Sequence, residues 1–538
     1  VNNIVAEFSK FTPLNKANNL PWIAPLIPNP CSVKNEVAAT IHRFGRAGKP
    51  ADAAAVSRFS EFAKAFIRKL TPALRSDVKD FDQWLAGTNY TGGRKASLRK
   101  VRENPIILNH KSSVTGSFLK YEGYQKPKNP RAINAFSDEV KVIVAPIGEA
   151  ADKATFRHRN FVKGMDASER PELMAELFGH SPVVETDFTS FESHHRGEFA
   201  EIIFYWMMHM TRGMNLPTHV RRLFAACIKG RNKCKFGLTR CSVDQTLMSG
   251  AAWTSSSNGV LNLLIMSYLW SDQFGLPVGE QADYAFNKFT GLIEGDDGIC
   301  PAFPVNYALI ESLGIDLKLE VKPYYGLASF CGIVCPPNSR DILYSPERLF
   351  RNFFVIPAKL KDRKQSVKDA YIRAKALSYR HSFGNAPVVG PIVRHVCKLT
   401  KSINVENVLT HFDVYQRDKI EIALKTKSHE KSNPISDSLR DHCSQVFGIS
   451  VERQREMEEG FEKNLCSDVD LSSWMMPFDD EHTLMHVTRE KWPEIPNQGH
   501  HLDEKIKNVI RNGGLQRQKR RVANNRCDGL FGSNVWSI

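Results

Sequence analysis

Residues 291–300 read GLIEGDDGIC: two aspartates side by side between two glycines, with apolar residues on either flank. Leu292 and Ile293 before the pair, and Ile299 and Cys300 after it, predict two short buried strands, with Gly295 and Gly298 supplying positive φ at a hairpin tip. Asp296 and Asp297 then project together from a rigid turn, where they repel unless solvent or a cation lies between them.

Working outward, PVVETDF (182–188) is a short β-rich run ending in an acid and an aromatic, DLKLEVK (316–322) is a strand with alternating faces, and ASFCGIVCPP (328–337) is a further β stretch. Helices are expected between them. One begins near His194 and carries Phe199, Ile202, Ile203, Trp206 and Met210 on one face; another runs from about Trp253 to Trp270; a third starts near Pro304 and stops at Gly314. The pattern is an α+β lobe with an antiparallel sheet at its centre. If the 182–188 strand joins the hairpin in one sheet, Asp187 meets Asp296 and Asp297 at one edge. Hard oxygen ligands from more than one strand are what a pair of Mg²⁺ ions about 3.5–4 Å apart requires, so the repulsion at the turn is relieved by metal.

At 538 residues and 60.8 kDa the chain is too long for one ordinary core, and two to four lobes are expected. Apolar residues make up 42%, which excludes a disordered chain. Lys and Arg total 73 against 58 Asp and Glu, an excess of 15 that favours a polyanionic partner such as nucleic acid or an anionic membrane surface. Eleven cysteines are scattered without the density of a secreted scaffold or the spacing of a zinc site, which fits a reducing compartment. The stretch VNNIVAEFSKFTPLNK lacks the basic and apolar regions of a secretory leader, and the most apolar run, VLNLLIMSYLW from Val260, is too short to span a bilayer.

Residues 1–50, rich in Pro, Asn and Gly, read as an extended arm with few regular elements. Ala53 to Leu70 has a helical apolar face and is expected to pack in the core. NYTGGRKASLRKVREN and FLKYEGYQKPKNPRAI, between Asn89 and Ile133, read as basic loops with interleaved Tyr and Gly that suit a nucleic-acid groove. After Ser345 the pattern is mainly helical; Lys359–Arg380 holds eight basic side chains against Asp362 and Asp369 and offers a phosphate-facing side. Residues 428–438 read as a linker, and the Arg517–Arg521 cluster closes the chain with a basic tail.

A bare Gly-Asp-Asp is weak evidence, since composition alone yields one in roughly a tenth of chains this size. MSGAAWTSSSNGVLN (248–262) is stronger: a Ser-Gly loop at Ser249 and Gly250 runs into a helix on which Thr254 and Asn258, four apart, share a face. The ordered set TDFTSFE, SGAAWTSSSN and GDD resembles motifs A, B and C of the RNA-directed RNA polymerases of positive-strand RNA viruses. FLKYEGYQKPKNPRAI is similar to the basic finger motif F of tombusvirus-like and nodavirus-like members, and SFCG to motif E; the resemblance covers about Phe118 to Gly332.

That resemblance implies a right-hand fold of fingers, palm and thumb, with an antiparallel palm sheet flanked by helices. Residues 1–180 would form the N-terminal arm and fingers, 181–345 the palm with a finger insertion at about 213–245, 346–500 a helical thumb and 501–538 the basic tail. It also implies roles. Asp187 and Asp296 would be the principal Mg²⁺ ligands, or Mn²⁺ ligands, with Asp297 beside them. Asn258, helped by Thr254 and Glu192, would read the ribose 2′-hydroxyl. Ser249 and Gly250 would lie against the template and nascent pair, and Lys126, Lys128 and Arg131 would contact the triphosphate. Cys331 and Gly332 would support the primer end. Lys318 or Lys322 would protonate pyrophosphate; four apart on a strand, they share a face, and alternation does not choose between them. The family carries Asp where Glu192 stands here, one methylene longer. His194 and His195 read as packing or surface residues.

The expected activity is template-directed, two-metal nucleotidyl transfer from ribonucleoside triphosphates to an RNA 3′-hydroxyl, replicating a viral genome. Expected partners are template and nascent RNA and viral or host replication proteins, at membrane-associated sites in the host cytoplasm. The alternatives are a reverse transcriptase, a basic RNA-binding structural or packaging protein, and an inactive polymerase-like subunit.

Overall fold

The apolar spacing of Ala53–Leu70 yields a helix with those bounds, which buries Phe59, Phe62, Phe66, Ile67 and Leu70 on one face. In this computed structural model the described residues are 7–10, 26–30, 32–46 and 48–464, apart from 71–72, 75–77, 79, 89, 105–113, 121–123, 125–127, 354, 357–359, 361–362, 413 and 426–433, together with 476–477 and 484–486. The 501–538 tail, Lys126 and most of the 428–438 linker fall outside them.

The α+β class holds. Its centre is a four-stranded antiparallel sheet in the order Leu317–Lys322, Val183–Phe188, Asp297–Pro301, Leu292–Glu294. The alternation of its strands divides two apolar clusters: Val184, Phe188, Ile293 and Cys300 join the main core, whereas Val183, Leu292 and Ile299 face a smaller cluster with Phe330 and Cys335. The outer edge of the hairpin is covered, because Ile293 N donates to Asn160 O (2.7 Å) and Phe161 bridges Ile293.

Against the main-core face lies Thr254–Asp272, a helix with little amphipathicity of sequence because neighbours surround it. Val260, Leu261, Leu263, Leu264, Ile265, Met266, Tyr268 and Leu269 are all buried, each worth about 1.5–3 kcal/mol by burial. A second four-stranded sheet runs Ala132–Ala135, Val114–Leu119, Arg231–Lys235, Arg240–Asp244, so the 213–245 segment pairs with strands from the first 180 residues. After Pro346 the helices Gln365–Phe383, Val389–Leu399 and Val451–Asn464 gather around a separate core that includes Phe353, Ile372, Val393 and Phe461. Among the described residues no helix is long and apolar enough to cross a membrane.

Several expectations are corrected. The N-terminal arm contains a helix, Val33–Ala39, capped by Ser32 and continued by a π-helical turn, Thr40–Phe44, that breaks at Arg43 (φ −115°, ψ −108°). Its Glu36 is buried and accepts from Leu238 N (3.1 Å), contacts that no local pattern encodes. The 89–104 loop is largely a helix, Gly92–Glu103: Thr91 caps it, and Arg94 pairs with Asp138 (2.5 Å). The helix placed near His194 starts at Glu198, after a 3₁₀ turn at Phe191–His194, and the one placed at Pro304 is only Tyr307–Ser312, capped by Asn306. The 328–337 β stretch shrinks to Ile333–Val334, since Cys331 and Gly332 take positive φ (54° and 78°) and turn the chain. Within the 359–380 basic segment, Arg373 donates to Thr400 O (2.7 Å) and Lys375 to Asn352 O, so these two cations face protein carbonyls.

Candidate functional site

The hairpin tip is a two-residue connection, Gly295-Asp296, closed by the pair Glu294↔Asp297. Only Gly295 has positive φ (64°), the pattern of a type II′ turn. Gly298 lies inside the strand instead; a Cβ there would meet Ile293 Cδ1 and Thr186 Oγ1 at 3.0 Å. Two side chains fix the turn. Thr186 Oγ1 donates to Asp296 O (3.2 Å), and Asn262 Nδ2 donates to Gly295 O (3.2 Å) and Asp296 O (3.0 Å).

Asp187 comes to this turn through register. Val183 pairs with Pro301, Val184 with Cys300 and Glu185 with Ile299, and the same count sets Asp187 opposite Asp297. Alternation then puts both on the face that carries Val183 and Ile299, and Asp187 is exposed there. The pairing on the other side of the strand also separates the two lysines. Lys318 is the register partner of Asp187, whereas Lys322 is opposite Val183, about 13 Å along the strand.

The two acids of the turn are both raised, by burial and by different neighbours. Burial raises Asp296, with Glu192 adding to the rise and Arg131 and Arg43 opposing it. Asp297 is pushed up to about 7 by burial, then by Asp296 and Glu294, against Arg348 and a hydrogen bond from the Cys331 thiol. Among the described residues no group of three His, Cys, Asp or Glu side chains is assembled closely enough to hold a metal ion. Register carries the Asp187 strand alongside the hairpin that bears Asp296 and Asp297. The donor chemistry, carboxylate oxygens raised by burial and mutual repulsion, still suits a hard divalent cation.

Glu294 is held differently. Burial works to raise it, but Arg170 (2.7 Å) and Lys163 (3.3 Å) outweigh that and keep it below the usual carboxylate range. Cys331 stands between Glu294 and Asp297, and burial, then the two acids, drive its thiol well above the ordinary value. Gly332 is overlain by the Arg348 guanidinium, which a Cβ would strike.

The Ser-Gly loop abuts the second sheet. A Cβ on Gly250 would lie 2.6 Å from Asn134 O and 3.0 Å from Ala135 Cα, so only glycine permits this approach to the strand that follows Arg131. Ser249 beside it is half-buried. Thr254 does not present its hydroxyl to the site: it donates to Met248 O (3.0 Å) and Ala251 O (2.8 Å), closing the loop onto the helix start. Asn258 has a buried Oδ1 with no protein partner among the described residues. Glu192 pairs with Arg43 (3.2 Å). Lys128 is exposed, and Lys120 N donates to Arg131 O (2.7 Å).

His194 and His195 are core residues. His194 Nε2 accepts from Asp316 N (2.8 Å), which leaves Nδ1 to donate to Phe191 O (3.3 Å), a neutral ring. Burial lowers His195 to about 3.

Sequence reasoning missed Asn262, Arg43, Arg348, Lys163 and Arg170. Only Asn262 carried a usable signal, since it lies one turn beyond Asn258 on the same helix. No protein-family model and no curated protein matches the chain.

Proposed function

We propose that the chain is an RNA-directed RNA polymerase with a right-hand architecture, joining ribonucleoside triphosphates to an RNA 3′-hydroxyl with release of pyrophosphate. The observation that carries this reading is the antiparallel ladder that sets the Asp187 strand against the Asp297 strand, beside a turn pinned by Asn262. Asp187, Asp296 and Asp297 would hold Mg²⁺ or Mn²⁺, whose charge would offset that developing on the transferring phosphorus and the leaving pyrophosphate. Lys318, beside Asp187, is the better-positioned proton donor of the two lysines. Arg131 would contribute a guanidinium to the triphosphate, and Asn258, whose buried Oδ1 has no protein partner among the described residues, is suited to accept from a ribose 2′-hydroxyl. The basic balance of the chain fits an RNA partner.

An inactive polymerase-like subunit is the second reading, favoured by Glu192 where the resembled family carries Asp. One assay separates them. Full-length protein with an RNA template, four ribonucleotides and Mg²⁺ or Mn²⁺ should give labelled, template-length product, and Asp296→Ala should abolish it while retaining RNA binding. Product from Asp296→Ala at the wild-type rate refutes the assigned chemistry; RNA binding without product from the wild type supports the inactive reading. Preferential use of deoxynucleotides would indicate a reverse transcriptase.

A further inference from the structure

Residues 42–46 and Lys49 are tied, as a strap, to the turn that carries Glu192 and to Asp316. Ser190 Oγ donates to His42 O (3.1 Å), and Arg196 Nη2 donates to Phe44 O (2.9 Å). Arg46 and Lys49 both pair with Asp316 (2.6 and 3.0 Å), whose backbone N–H is bound by His194 from the same turn. In the middle of the strap, the helix break at Arg43 directs its guanidinium to Glu192; each side chain is only 16% exposed. Strap and acid thus form one connected unit.

We infer that Arg43 is a positioning residue that fixes Glu192 for reading the sugar of the incoming nucleotide, so that an N-terminal segment sets selectivity for ribose over deoxyribose. This rests on the polymerase reading. A glutamate has one more rotatable bond than an aspartate, and an unheld carboxylate would sample positions that do not meet a 2′-hydroxyl. A part-buried guanidinium partner removes that freedom. Without it, ribo- and deoxyribonucleotides would differ less in transition-state binding, because discrimination depends on a site built to bond the hydroxyl.

The test is single-nucleotide incorporation by the full chain, measuring kcat/KM for each ribonucleotide and its 2′-deoxy counterpart in wild type, Arg43→Ala, Arg43→Lys, Glu192→Gln and the Arg43→Ala/Glu192→Gln double variant. Arg43→Ala should lower the ribose-to-deoxyribose ratio at least about fivefold, Arg43→Lys should recover part of it, and Arg43→Ala should change nothing further in the Glu192→Gln background. If Arg43→Ala does not fold, Arg43→Gln carries the same comparison. An unchanged ratio, or an equal loss in both backgrounds, overturns the inference while leaving the polymerase reading intact. A rise in KM for all nucleotides at constant ratio also overturns it, and would make Arg43 a triphosphate contact. A wild type that incorporates neither nucleotide overturns both, and the wild-type arm alone reveals that case.

Discussion

Asn262→Asp tests whether the acid turn is held by the helix behind it. The substitution is isosteric and keeps Oδ1, which has no protein partner among the described residues, so it removes the amide N–H donors and adds a carboxylate charge at neutral pH. Two hydrogen bonds are lost, to Gly295 O and Asp296 O. At about 1 kcal/mol net for each, the turn should lose about 2 kcal/mol, a factor of about thirty in its opening equilibrium. Repulsion between the new carboxylate and the Asp296 carbonyl adds to this at neutral pH. Native-state hydrogen exchange should therefore show protection of the Leu292–Glu294 and Asp297–Cys300 amides falling at least thirtyfold at pH 7. Burial would raise the new acid's pKa, and below that value its protonated oxygen can donate to one of the two carbonyls, so the deficit should shrink on acidification. Protection within about threefold of wild type at pH 7 would show that the turn does not depend on this contact.

Other consequences can be measured independently. Gly250→Ala puts a methyl against the Asn134 backbone, which cannot yield as a side chain would, and should cost about 1–3 kcal/mol in urea unfolding; Gly93→Ala, in an exposed helix with nothing within 4 Å, should instead add about 0.5–1 kcal/mol. Burial raises Asp152 to about 8, against a bond from Ser256 Oγ, so its folded pKa lies above the unfolded value. Its contribution is fully present below about pH 4 and is lost as pH rises through about 8, and Asp152→Asn should flatten this part of the stability profile, read by thermal melts across that range.

Much of the central lobe is legible locally. The hairpin at 291–300 and the strands at 183–188 and 317–322 follow from apolar alternation and turn chemistry, and Ala53–Leu70 follows from helical spacing. The shorter elements were less legible for a physical reason: in Phe191–His194 and Ile333–Val334 tertiary bonds and positive-φ residues override periodicity. The Gly92–Glu103 helix was obscured by two glycines and a dense basic composition that read as loop, although the Thr91 cap was present in sequence.

The residue order itself determined that an acid pair would stand on a tight turn beside buried strands, since neighbouring residues and their spacing set those features. Tertiary structure alone decided which charges face which. Glu294 meets Lys163 and Arg170 across 131 and 124 residues, and Glu192 meets Arg43 from the other end of the lobe. Lys318 rather than Lys322 stands beside Asp187 because strand register, which identical alternation on both cannot reveal, is set by the packing of the whole sheet.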